Sequence, residues 1–414
     1  MCAAQTPVRN FEYIVVGCGG IGSAAVYWLS KRAGKEVLGI ERFQLGHHHG
    51  GSQDYSRFIR TDYAEECYLK LVRDAYTTIE QIERESGIQL IHTTGKLLMC
   101  RKDQPRSRIL PAYQYAMSRE NFQYEMLDSE EIQRRFPQFK LHPQVVALYT
   151  KEAGVLSADL TNAVHIQLAR ANGAIIEENC QVLRFEKDRD GLCVLVHTSL
   201  GTFRCRRVII TAGGWTNQVL ESLDVKLPIT VTHEQATFVA TPNLKDFSKD
   251  RFPLYMYVSP KYLHYGFPIH GNTGVKVGMT ASGKQILPDS LPCEPDRERE
   301  QVALEFLKEN VPKAVGPILF SKPCLYDMTP DRKYVIDTLA QKGYPQIILF
   351  CGAGHAYKFV GLFGKILSEM AIDGATRYPI DAFKLDREAL NDPNYEPDFH
   401  LDRVPTVPGY QSKL

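Results

Sequence analysis

The chain is 414 residues long, and at roughly one domain per 150 residues this length predicts two or three domains. Its formal net charge is +1 and 23% of its residues are charged, so neither nucleic acid nor an anionic membrane surface is expected as its main partner. Its ten cysteines form no Cys-x-x-Cys pair and no cluster with histidines at the spacing of a zinc site, so we expect reduced thiols and no bound metal.

The first predicted unit is a strand, a glycine-rich loop and a helix near the start of the chain. An apolar run from Tyr13 to Val16 precedes the loop Gly17-Cys18-Gly19-Gly20-Ile21-Gly22, and a helical segment rich in small residues, Ser23 to Leu29, follows it. Because the uncharged run from Tyr13 to Leu29 is too short to span a bilayer and is interrupted by glycines, we expect no membrane insertion. A second strand, Val37 to Glu41, completes a βαβ unit and predicts a parallel sheet.

This unit has the pattern of a dinucleotide-binding site. Gly17, Gly19 and Gly22 permit a tight turn, close approach of a pyrophosphate to the backbone, and close packing of helix on strand. The amides at the N-terminus of the helix then meet the negative phosphates. Glu41 ends the second strand, where a carboxylate binds ribose hydroxyls and repels a 2′-phosphate, which disfavours NADP. The motif alone does not distinguish FAD from NAD.

The later elements alternate between amphipathic helices and buried strands. Asp62 and Glu65 predict a capping box at the start of a long helix. Aromatic-rich strands punctuated by turns fill residues 238–278 and predict an antiparallel sheet. In chain order the other predicted segments are a helix from Asp62 to Glu85, a helix from Asp128 to near Pro137, a helix from Ser157 to Asn172, a strand from Gly173 continuing through Val182 and Phe185, a buried strand from Arg207 into the turn at Gly213, a strand from Ile347 to Gly352, and a helix from Phe359 to Ile372.

This order predicts an α/β protein, α+β overall, in which a Rossmann-like cofactor domain carries an inserted, mainly antiparallel β-sheet substrate domain. The cofactor domain is expected to be discontinuous, since the buried parallel-type strand near residue 350 returns after the aromatic-rich stretch. We predict residues 10–95, 156–232 and 320–385 for the cofactor domain, residues 96–155 and 233–319 for the substrate domain, and residues 386–414 for a C-terminal tail.

Several separated segments give the chain a more specific likeness. In chain order they are the N-terminal glycine loop, Ser56-Arg57-Phe58-Ile59-Arg60, Thr211 to Asn217, Tyr265-Gly266-Phe267-Pro268, Gly274 to Gly278, Cys324-Leu325-Tyr326 with Thr329-Pro330-Asp331, and Gly354-His355 with Lys358-Phe359. In these segments the chain resembles the monomeric sarcosine oxidase and L-pipecolate oxidase family of flavoenzymes, which includes peroxisomal sarcosine oxidases. The resemblance extends over nearly the whole chain.

The resemblance implies a fold of the glutathione-reductase type, FAD as the cofactor, and oxidation of a small secondary-amine amino acid such as sarcosine or L-pipecolate. Hydride passes to the flavin, dioxygen takes the electrons, and hydrogen peroxide leaves. It also implies covalent attachment of FAD through Cys324, which would hold the ring and raise its potential. Besides the glycine loop and Glu41, the residues expected to bind FAD are Val182, Gly213, Trp215 and Gly354.

Four residues are implied to act beside the flavin. Lys276 would lie where dioxygen reacts, since a fixed ammonium there stabilises the negative charge that develops on oxygen. Arg57 and His355 would lie close to the flavin, and Tyr326 would line the amine pocket. Without the resemblance, the lysine would be a solvated strand residue, the arginine a salt-bridge partner and the histidine a hydrogen-bonded structural residue.

Three residues are implied to bind the substrate. Arg60 and Lys358 would clamp its carboxylate, because a guanidinium fork matches carboxylate geometry and a second cation adds orientation. Tyr265 would line the pocket for the amine, which an aromatic face suits. Sarcosine, L-pipecolate, L-proline, saccharopine and glycated amino acids all carry the carboxylate that this clamp requires.

The chain departs from the family in two places near the site. Gln53-Asp54 stands where a His-Gly pair is usual, and Thr280 stands where the family has a histidine after the strand lysine. An aspartate in the first loop is more similar to relatives that oxidise saccharopine or fructosyl amino acids. The alternatives are therefore an oxidase of those larger amines, a flavin dehydrogenase that passes electrons to a carrier protein, an NAD-dependent dehydrogenase, or an FAD-binding protein without catalysis.

The last three residues, Ser412-Lys413-Leu414, have the form of a peroxisomal targeting signal. We therefore expect a peroxisomal location, with the import receptor as a partner, for an enzyme that releases peroxide. A monomer is expected from the resemblance.

Overall fold

The computed structural model describes residues 8–398 of the chain. The predicted targeting tripeptide Ser412-Lys413-Leu414, with the last part of the predicted tail, lies outside the described residues. The strands within this range are β1 Arg9–Val16, β2 Val37–Ile40, β3 Ser56–Ile59, β4 Ile91–Thr93, β5 Lys96–Arg101, β6 Glu125–Asp128, β7 Val145–Thr150, β8 Gly154–Ser157, β9 Ile175–Glu177, β10 Val182–Lys187, β11 Val194–Thr198, β12 Gly201–Ile210, β13 Thr230–Ala240, β14 Leu254–Val258, β15 Leu263–Phe267, β16 Gly274–Met279, β17 Lys284–Gln285, β18 Ile318–Met328, β19 Val335–Leu339 and β20 Tyr344–Cys351. The helices are α1 Gly20–Ala33, α2 Glu66–Ser86, α3 Ile109–Arg119, α4 Ser129–Arg135, α5 Ala158–Ala171, α6 Thr216–Leu220, α7 Arg297–Asn310, α8 Val360–Asp373 and α9 Glu388–Asn391.

The first sheet has eight strands and a parallel centre. β1 lies between β2 and β12, β9 extends the sheet beyond β2, and β20 pairs with the end of β12, all in parallel. β11 pairs with the start of β12, β10 with β11, and β19 with β20, all antiparallel. Since the carboxyl ends of the parallel strands meet at one edge, the loops after β1, β2, β12 and β20 come together there.

Alternate residues of the central strands face two separate apolar clusters. Val15 packs into the cluster that contains α1 and α8, whereas Ile14 and Val16 pack into the one that contains Leu220 of α6. α1 contacts both α5 and α8, and it is buried nearly all round. Each fully buried aliphatic side chain stabilises the fold by about 1.5–3 kcal/mol relative to exposure. The core of the first domain therefore fixes the helix that starts at the glycine loop.

The second sheet has nine strands. Their order is β6-β7-β5-β14-β15-β16-β13, with β17 beside the start of β13 and β18 along the other edge of β13. The pairings are antiparallel except that of β5 with β14, which is parallel. The two sheets confirm the predicted fold class, a Rossmann-like domain with a mainly antiparallel second domain.

The predicted domain boundaries remain predictions, but one strand lies across them. Most of β18 falls after the boundary at residue 320, yet the strand pairs with β13 over residues 318–328 and so lies in the second sheet. A third, small sheet is formed by β3, β8 and β4, all antiparallel. Its strand β3 contacts the 3₁₀ turn Ala356–Phe359. This contact brings two distant segments with predicted site residues together.

The long predicted helix is confirmed, but its predicted start is wrong. α2 begins at Glu66, and its N-cap Glu65 makes no side-chain capping bond. The carboxylate of Asp62 instead accepts hydrogen bonds from Arg60 and Lys96, so the expected capping box does not form. A buried cation on the second sheet outcompetes the backbone amides for this carboxylate, because charge-assisted bonds are the stronger ones.

Each of the nine cysteines within residues 8–398 is a free thiol. In the same range, no group of three or more histidine, cysteine, aspartate or glutamate side chains is arranged to hold a metal ion. Among the helices of the described chain, none combines the length and the apolar character needed to cross a bilayer.

Candidate active site

The glycine loop after β1 has the geometry of a phosphate cradle. Gly17 has a φ of +88°, and a Cβ atom there would lie 2.7 Å from the carbonyl oxygen of Thr211. A Cβ atom on Gly22 would lie 1.7 Å from the carbonyl oxygen of Gly17, so only glycine lets α1 start this close to β1. The N-cap Gly19 makes no side-chain capping bond, which leaves room for an anion at the N-terminus of α1.

Glu41 lies directly after β2, at the predicted ribose-binding position. Its carboxylate accepts hydrogen bonds from the amides of Cys18 at 2.8 Å and Phe43 at 3.0 Å, and His47 Nε2 lies 3.3 Å away. Burial alone would raise the pKa of Glu41, but His47 and these amides outweigh it, and the pKa lies below its usual value. An ionised, oriented carboxylate with lone pairs remaining suits the two hydroxyls of a ribose.

Two cavities meet at the glycine loop. The outer cavity, of about 860 Å³, is bordered by Glu41, Val182, Gly213 and Trp215, the residues predicted to bind the cofactor beside the glycines. The inner cavity, of about 280 Å³, shares Gly19, Ser52, Thr211, Gly213 and Gly214 with the outer one. A molecule can therefore extend from one cavity into the other. The residues fit FAD: those around the outer cavity would hold its adenosine, those of the glycine loop its pyrophosphate, and those of the inner cavity its flavin.

The inner cavity brings together the predicted site residues from four separated parts of the chain. The lining includes Arg57, Arg60, Tyr265, Lys276, Cys324, Tyr326, Gly354, His355 and Lys358. Strands of both large sheets, of the small sheet and the loop after β20 all contribute to it. The sequence therefore predicted residues that share one cavity. The structure adds the hydrogen bonds and ion pairs that hold each of them.

Lys276 and Arg57 share one carboxylate, that of Asp54. Lys276 Nζ lies 2.5 Å from Oδ2 of Asp54, and Arg57 donates to the same oxygen. Burial lowers the pKa of Lys276 to about 8, although Asp54 opposes the shift. Burial would raise the pKa of Asp54, but the charges of Lys276 and Arg57 outweigh it and hold the pKa well below its usual range. The loop in which this chain departs from its family thus supplies the counter-ion of the predicted oxygen-side lysine.

Arg60 is held by Asp62 and Tyr63. Its guanidinium donates to the backbone oxygen and to Oδ2 of Asp62 and stacks 4.0 Å from the ring centroid of Tyr63, while Tyr113 of α3 lines the same cavity. Its Nε is buried and has no hydrogen-bond partner among the described residues. The bonds to Asp62 therefore do not use the whole guanidinium of Arg60, a residue that lines the inner cavity.

Lys358 is the second cation of the predicted clamp. Its ammonium donates to the carbonyl oxygen of His355 at 2.9 Å. Burial, followed by the charges of Arg60, Arg332 and Arg57, holds the pKa of Lys358 well below its usual range. An anionic group placed between Arg60 and Lys358 would offset this repulsion, so the arrangement favours a carboxylate ligand.

His355 is occupied on both sides of its ring. Nε2 lies 2.7 Å from the carbonyl oxygen of Arg332 and so donates to it, which leaves Nδ1 to accept from the hydroxyl of Tyr334 at 2.9 Å. Burial and the nearby charge of Lys358 hold the pKa of His355 well below its usual value, so the ring is neutral. The histidine lies at the cavity as predicted, and its bonds make it a support for the loop that carries Lys358.

Cys324 and two tyrosines complete the wall around Lys276. The thiol of Cys324 is half-buried, and burial raises its pKa to about 11 while the charge of Arg57 opposes the shift. Burial raises the pKa of Tyr326 to about 12, and Thr280, which stands where the resembled family has a histidine, lines the same cavity. Tyr265 packs edge-on against Phe58, with ring centroids 6.1 Å apart. Both phenols are therefore neutral hydrogen-bonding groups in a largely apolar wall.

Sequence reasoning missed four residues that hold this site: Asp62, Lys96, Tyr113 and Asp327. Asp327 accepts from the amides of Gly352 at 2.9 Å and Gly354 at 3.0 Å, and so fixes the loop after β20. Asp62 was assigned to helix capping because of its spacing from Glu65. Lys96 and Tyr113 lie within ordinary strand and helix patterns, and no local signal distinguishes them.

Comparison with known proteins identifies the family over most of the chain. Residues 12–370 match the family described as FAD dependent oxidoreductase. Monomeric sarcosine oxidase of Streptomyces avermitilis is 32% identical over 381 residues, which cover 90% of this chain and 97% of that protein. Peroxisomal sarcosine oxidase of Mus musculus is 30% identical over 93% of this chain and 97% of its own length. NikD, described as an unusual amino acid oxidase essential for nikkomycin biosynthesis, matches with a TM-score of 0.80 at 25% identity, over 91% of this chain and 98% of its own.

The geometry of the cradle and these matches agree on FAD as the cofactor. The chain belongs to the FAD-dependent oxidoreductase family, in the group of monomeric and peroxisomal sarcosine oxidases, whose members oxidise amines.

Proposed function

We propose that this chain oxidises secondary-amine amino acids, such as sarcosine or L-pipecolate, with dioxygen as the electron acceptor and hydrogen peroxide as a product. One observation carries the proposal. The cations Arg60 and Lys358, suited to a carboxylate, line the same cavity as Lys276 and Cys324. When bound, FAD supplies the two-electron acceptor, taking a hydride from the carbon beside the amine nitrogen and passing the electrons to dioxygen.

The residues of the chain would bind and orient the substrate. Arg60 and Lys358 would receive its carboxylate, which fixes the amino acid by one end and sets the distance of its amine from the opposite wall. The cations that line the cavity disfavour an ammonium group, so the amine would bind in its neutral form. A neutral amine has the lone pair that drives loss of the hydride.

Lys276 would act on the oxygen side of the reaction. Its ammonium is buried, only 3% exposed, and is fixed by Asp54 and by the carbonyl oxygen of Ser56 at 3.0 Å. A preoriented cation in a site closed to water stabilises negative charge that develops on dioxygen. We propose His355 and Arg57 as supports of the site rather than as proton-transfer groups, because His355 uses both ring nitrogens in internal bonds.

We propose that Cys324 is the point of covalent attachment of FAD. The half-buried thiol lines the inner cavity beside the charge of Arg57. In the purified protein the yellow colour should remain with the polypeptide after acid precipitation, and in Cys324→Ser it should move to the supernatant. Colour in the wild-type supernatant would contradict the covalent bond and would leave the FAD site intact.

A panel of amines tests the substrate. The enzyme is mixed anaerobically with sarcosine, L-pipecolate, L-proline, saccharopine and a fructosyl amino acid, and bleaching of the flavin absorbance is followed. We expect rapid bleaching with at least one secondary-amine amino acid and slower bleaching with its amide, which lacks the carboxylate. No bleaching with any member would contradict the proposal. Fastest bleaching by saccharopine or the fructosyl amino acid would favour the oxidase of larger amines, toward which Asp54 and Thr280 point.

One observation favours a second candidate, a flavin dehydrogenase with a protein electron acceptor. The ammonium of Lys276 already has a carboxylate partner in Asp54, which reduces the charge that it can offer to dioxygen. Oxygen consumption measured with substrate and no carrier separates the two candidates. Turnover that stays slow in air and becomes fast only with an added carrier would support the dehydrogenase.

We further propose a peroxisomal location and a monomeric state. The mouse relative is named a peroxisomal sarcosine oxidase, and the Streptomyces relative is named a monomeric one. A fluorescent protein fused to the N-terminus should enter peroxisomes, and removal of residues 412–414 should leave it in the cytosol. Light scattering should give the mass of one chain, 46.9 kDa plus FAD.

A further inference from the structure

A buried ion pair lies directly behind the predicted carboxylate clamp. Lys96, at the start of β5, and Asp62 have no exposed side-chain surface, and Lys96 Nζ contacts Oδ2 of Asp62. Neither residue lines the inner cavity. The pair connects the segment after the small sheet, where Asp62 lies, with the nine-stranded sheet, to which Lys96 belongs. Arg60 is the third residue of this cluster, because it donates to the same carboxylate oxygen at 3.1 Å.

The charges in this cluster do not cancel. Arg60 and Lys96 contribute two positive charges and Asp62 one negative charge, so one net positive charge remains beside the cavity. Without Lys96, Asp62 would neutralise Arg60 alone and no net charge would remain. Fully buried pairs are rarely retained for stability, because desolvation offsets much of their attraction. A role toward a ligand explains the third member better than stability does.

The electrostatic effect of Lys96 on Lys358 agrees with this count of charges. The charge of Lys96 reaches Lys358, the other clamp cation, and is among the charges that lower the pKa of Lys358. Lys96 itself is protonated at neutral pH, since burial lowers its pKa only to about 8, with Asp62 opposing the shift. The unsatisfied Nε of Arg60 shows that Asp62 does not use the whole guanidinium. The cluster therefore keeps its net positive charge beside the cavity.

We infer that Lys96 is a positioning residue for substrate binding: it neutralises the charge of Asp62, so that the positive charge of Arg60 remains uncompensated for the substrate carboxylate. The inference rests on the proposed function, because it requires Arg60 to face a carboxylate. Lys96 would act through Asp62 and Arg60 and would not touch the substrate. The substrate site would then include a residue of the nine-stranded sheet that lies behind Arg60.

The test measures ligand binding rather than turnover. The probe is pyrrole-2-carboxylate, a planar analogue of proline with no oxidisable carbon beside its nitrogen, and pyrrole-2-carboxamide is its neutral counterpart of the same shape. Dissociation constants are measured by calorimetry at pH 7 with the FAD-loaded enzyme. The variants are Lys96→Met, which removes the charge at similar length, and the double variant Asp62→Asn with Lys96→Met, which restores one net positive charge.

We expect Lys96→Met to weaken binding of the carboxylate by about tenfold or more, since one unit of charge is lost close to the ligand. The double variant should recover affinity to within about threefold of wild type, because Arg60 is again uncompensated. Binding of the carboxamide should change by less than about twofold in either variant. A purely structural role for Lys96 predicts instead that the double variant is no better than the single one, and that both ligands suffer equally.

Failure of this inference can be distinguished from failure of the proposed function. Equal affinity of wild type and Lys96→Met for the carboxylate, or no recovery in the double variant, would overturn the inference. Equal affinity of wild type and Arg60→Met would contradict the clamp, and with it the proposed function. If Lys96→Met does not fold with FAD, as judged by its absorbance and melting temperature, the double variant decides alone, because it leaves no buried carboxylate. Affinity of that double variant far below wild type would then overturn the inference.

Discussion

Two buried carboxylates in this enzyme are built alike and are used differently. Asp54 binds Arg57 and Lys276, and Asp62 binds Arg60 and Lys96. In each cluster the aspartate and arginine come from the chain around β3, and the lysine comes from a strand of the second sheet. Each cluster carries one net positive charge.

The clusters differ in which cation reaches the cavity. Both cations of the Asp54 cluster line it, whereas only Arg60 of the Asp62 cluster does. The Asp54 cluster therefore presents a lysine and an arginine, suited to a reaction that needs charge beside dioxygen. The Asp62 cluster presents a guanidinium alone, backed by a hidden lysine, which suits recognition of a planar carboxylate. We propose that the same three residue types serve two functions, according to which member faces the ligand.

Replacement of each lysine by methionine should separate the two proposed functions. The largest effect that we expect is that of Lys276→Met on the oxygen reaction. Lys276→Met should slow reoxidation of the reduced enzyme by dioxygen by about 100-fold to 1000-fold, since a preoriented charge is lost. Stopped-flow mixing of the anaerobically reduced enzyme with dioxygen measures the rate.

Lys96→Met is the matched control for that experiment, because it also removes a buried lysine from a carboxylate. Its effect should fall mainly on carboxylate binding, measured with pyrrole-2-carboxylate, and that of Lys276→Met mainly on the oxygen reaction. Equal effects of the two variants on both measurements would show that the clusters do not have separate functions.

Replacement of Asp54 by asparagine should give an intermediate effect with a clear pH dependence. The oxygen reaction requires protonated Lys276, so in wild type its rate should fall as pH rises through about 8. Asp54 raises the pKa of Lys276 against burial, while Arg57 lowers it, so Asp54→Asn should move the fall to lower pH by about one unit or more.

At pH 7 the Asp54→Asn variant should therefore lose up to about tenfold in the rate of reoxidation. The pH profile of that rate is the measurement, and Asp62→Asn serves as the control, with a fall expected at the wild-type position. A profile that Asp54→Asn leaves in place would exclude Lys276 as the titrating group.

The smallest effect should come from α3, which places Tyr113 in the wall of the cavity that Arg60 also lines. Tyr113→Phe removes one hydroxyl group near a cation that keeps its other partners, a loss of about 1 kcal/mol. Affinity for pyrrole-2-carboxylate should fall about fivefold, and the oxygen reaction should not change. A loss as large as that of Lys96→Met would mean that α3, rather than the ion pair, holds the guanidinium.

Much of the site could be predicted because its residues lie in family-specific segments. Arg57 and Arg60, Cys324 and Tyr326, and His355 and Lys358 each stand in a short motif that the resemblance covers. The glycine loop and Glu41 needed no resemblance, since phosphate and ribose impose their own chemistry on a βαβ unit. The fold class followed from the change of pattern between parallel-type and aromatic-rich strands.

The partners of those residues could not be predicted, for physical reasons. Lys96 opens an apolar strand and has the sequence pattern of a solvated strand end, yet it is fully buried because a distant carboxylate meets it. Asp62 has the spacing of a helix cap, and only tertiary contact shows that cations take its oxygens instead of amides. Pairing across domains leaves no trace in local periodicity.

The bonds of Asp327 connect the strand that carries Cys324 with the loop that carries Lys358. Its carboxylate spans the amides of Gly352 and Gly354, so β18 and that loop hold one another in place. Substitutions in the two segments are thereby coupled: a residue other than aspartate at 327, or a bulkier one at 354, would disturb both ends of the site at once. In directed evolution for a new amine, these two segments therefore need to be varied together, whereas α3 can be changed by itself.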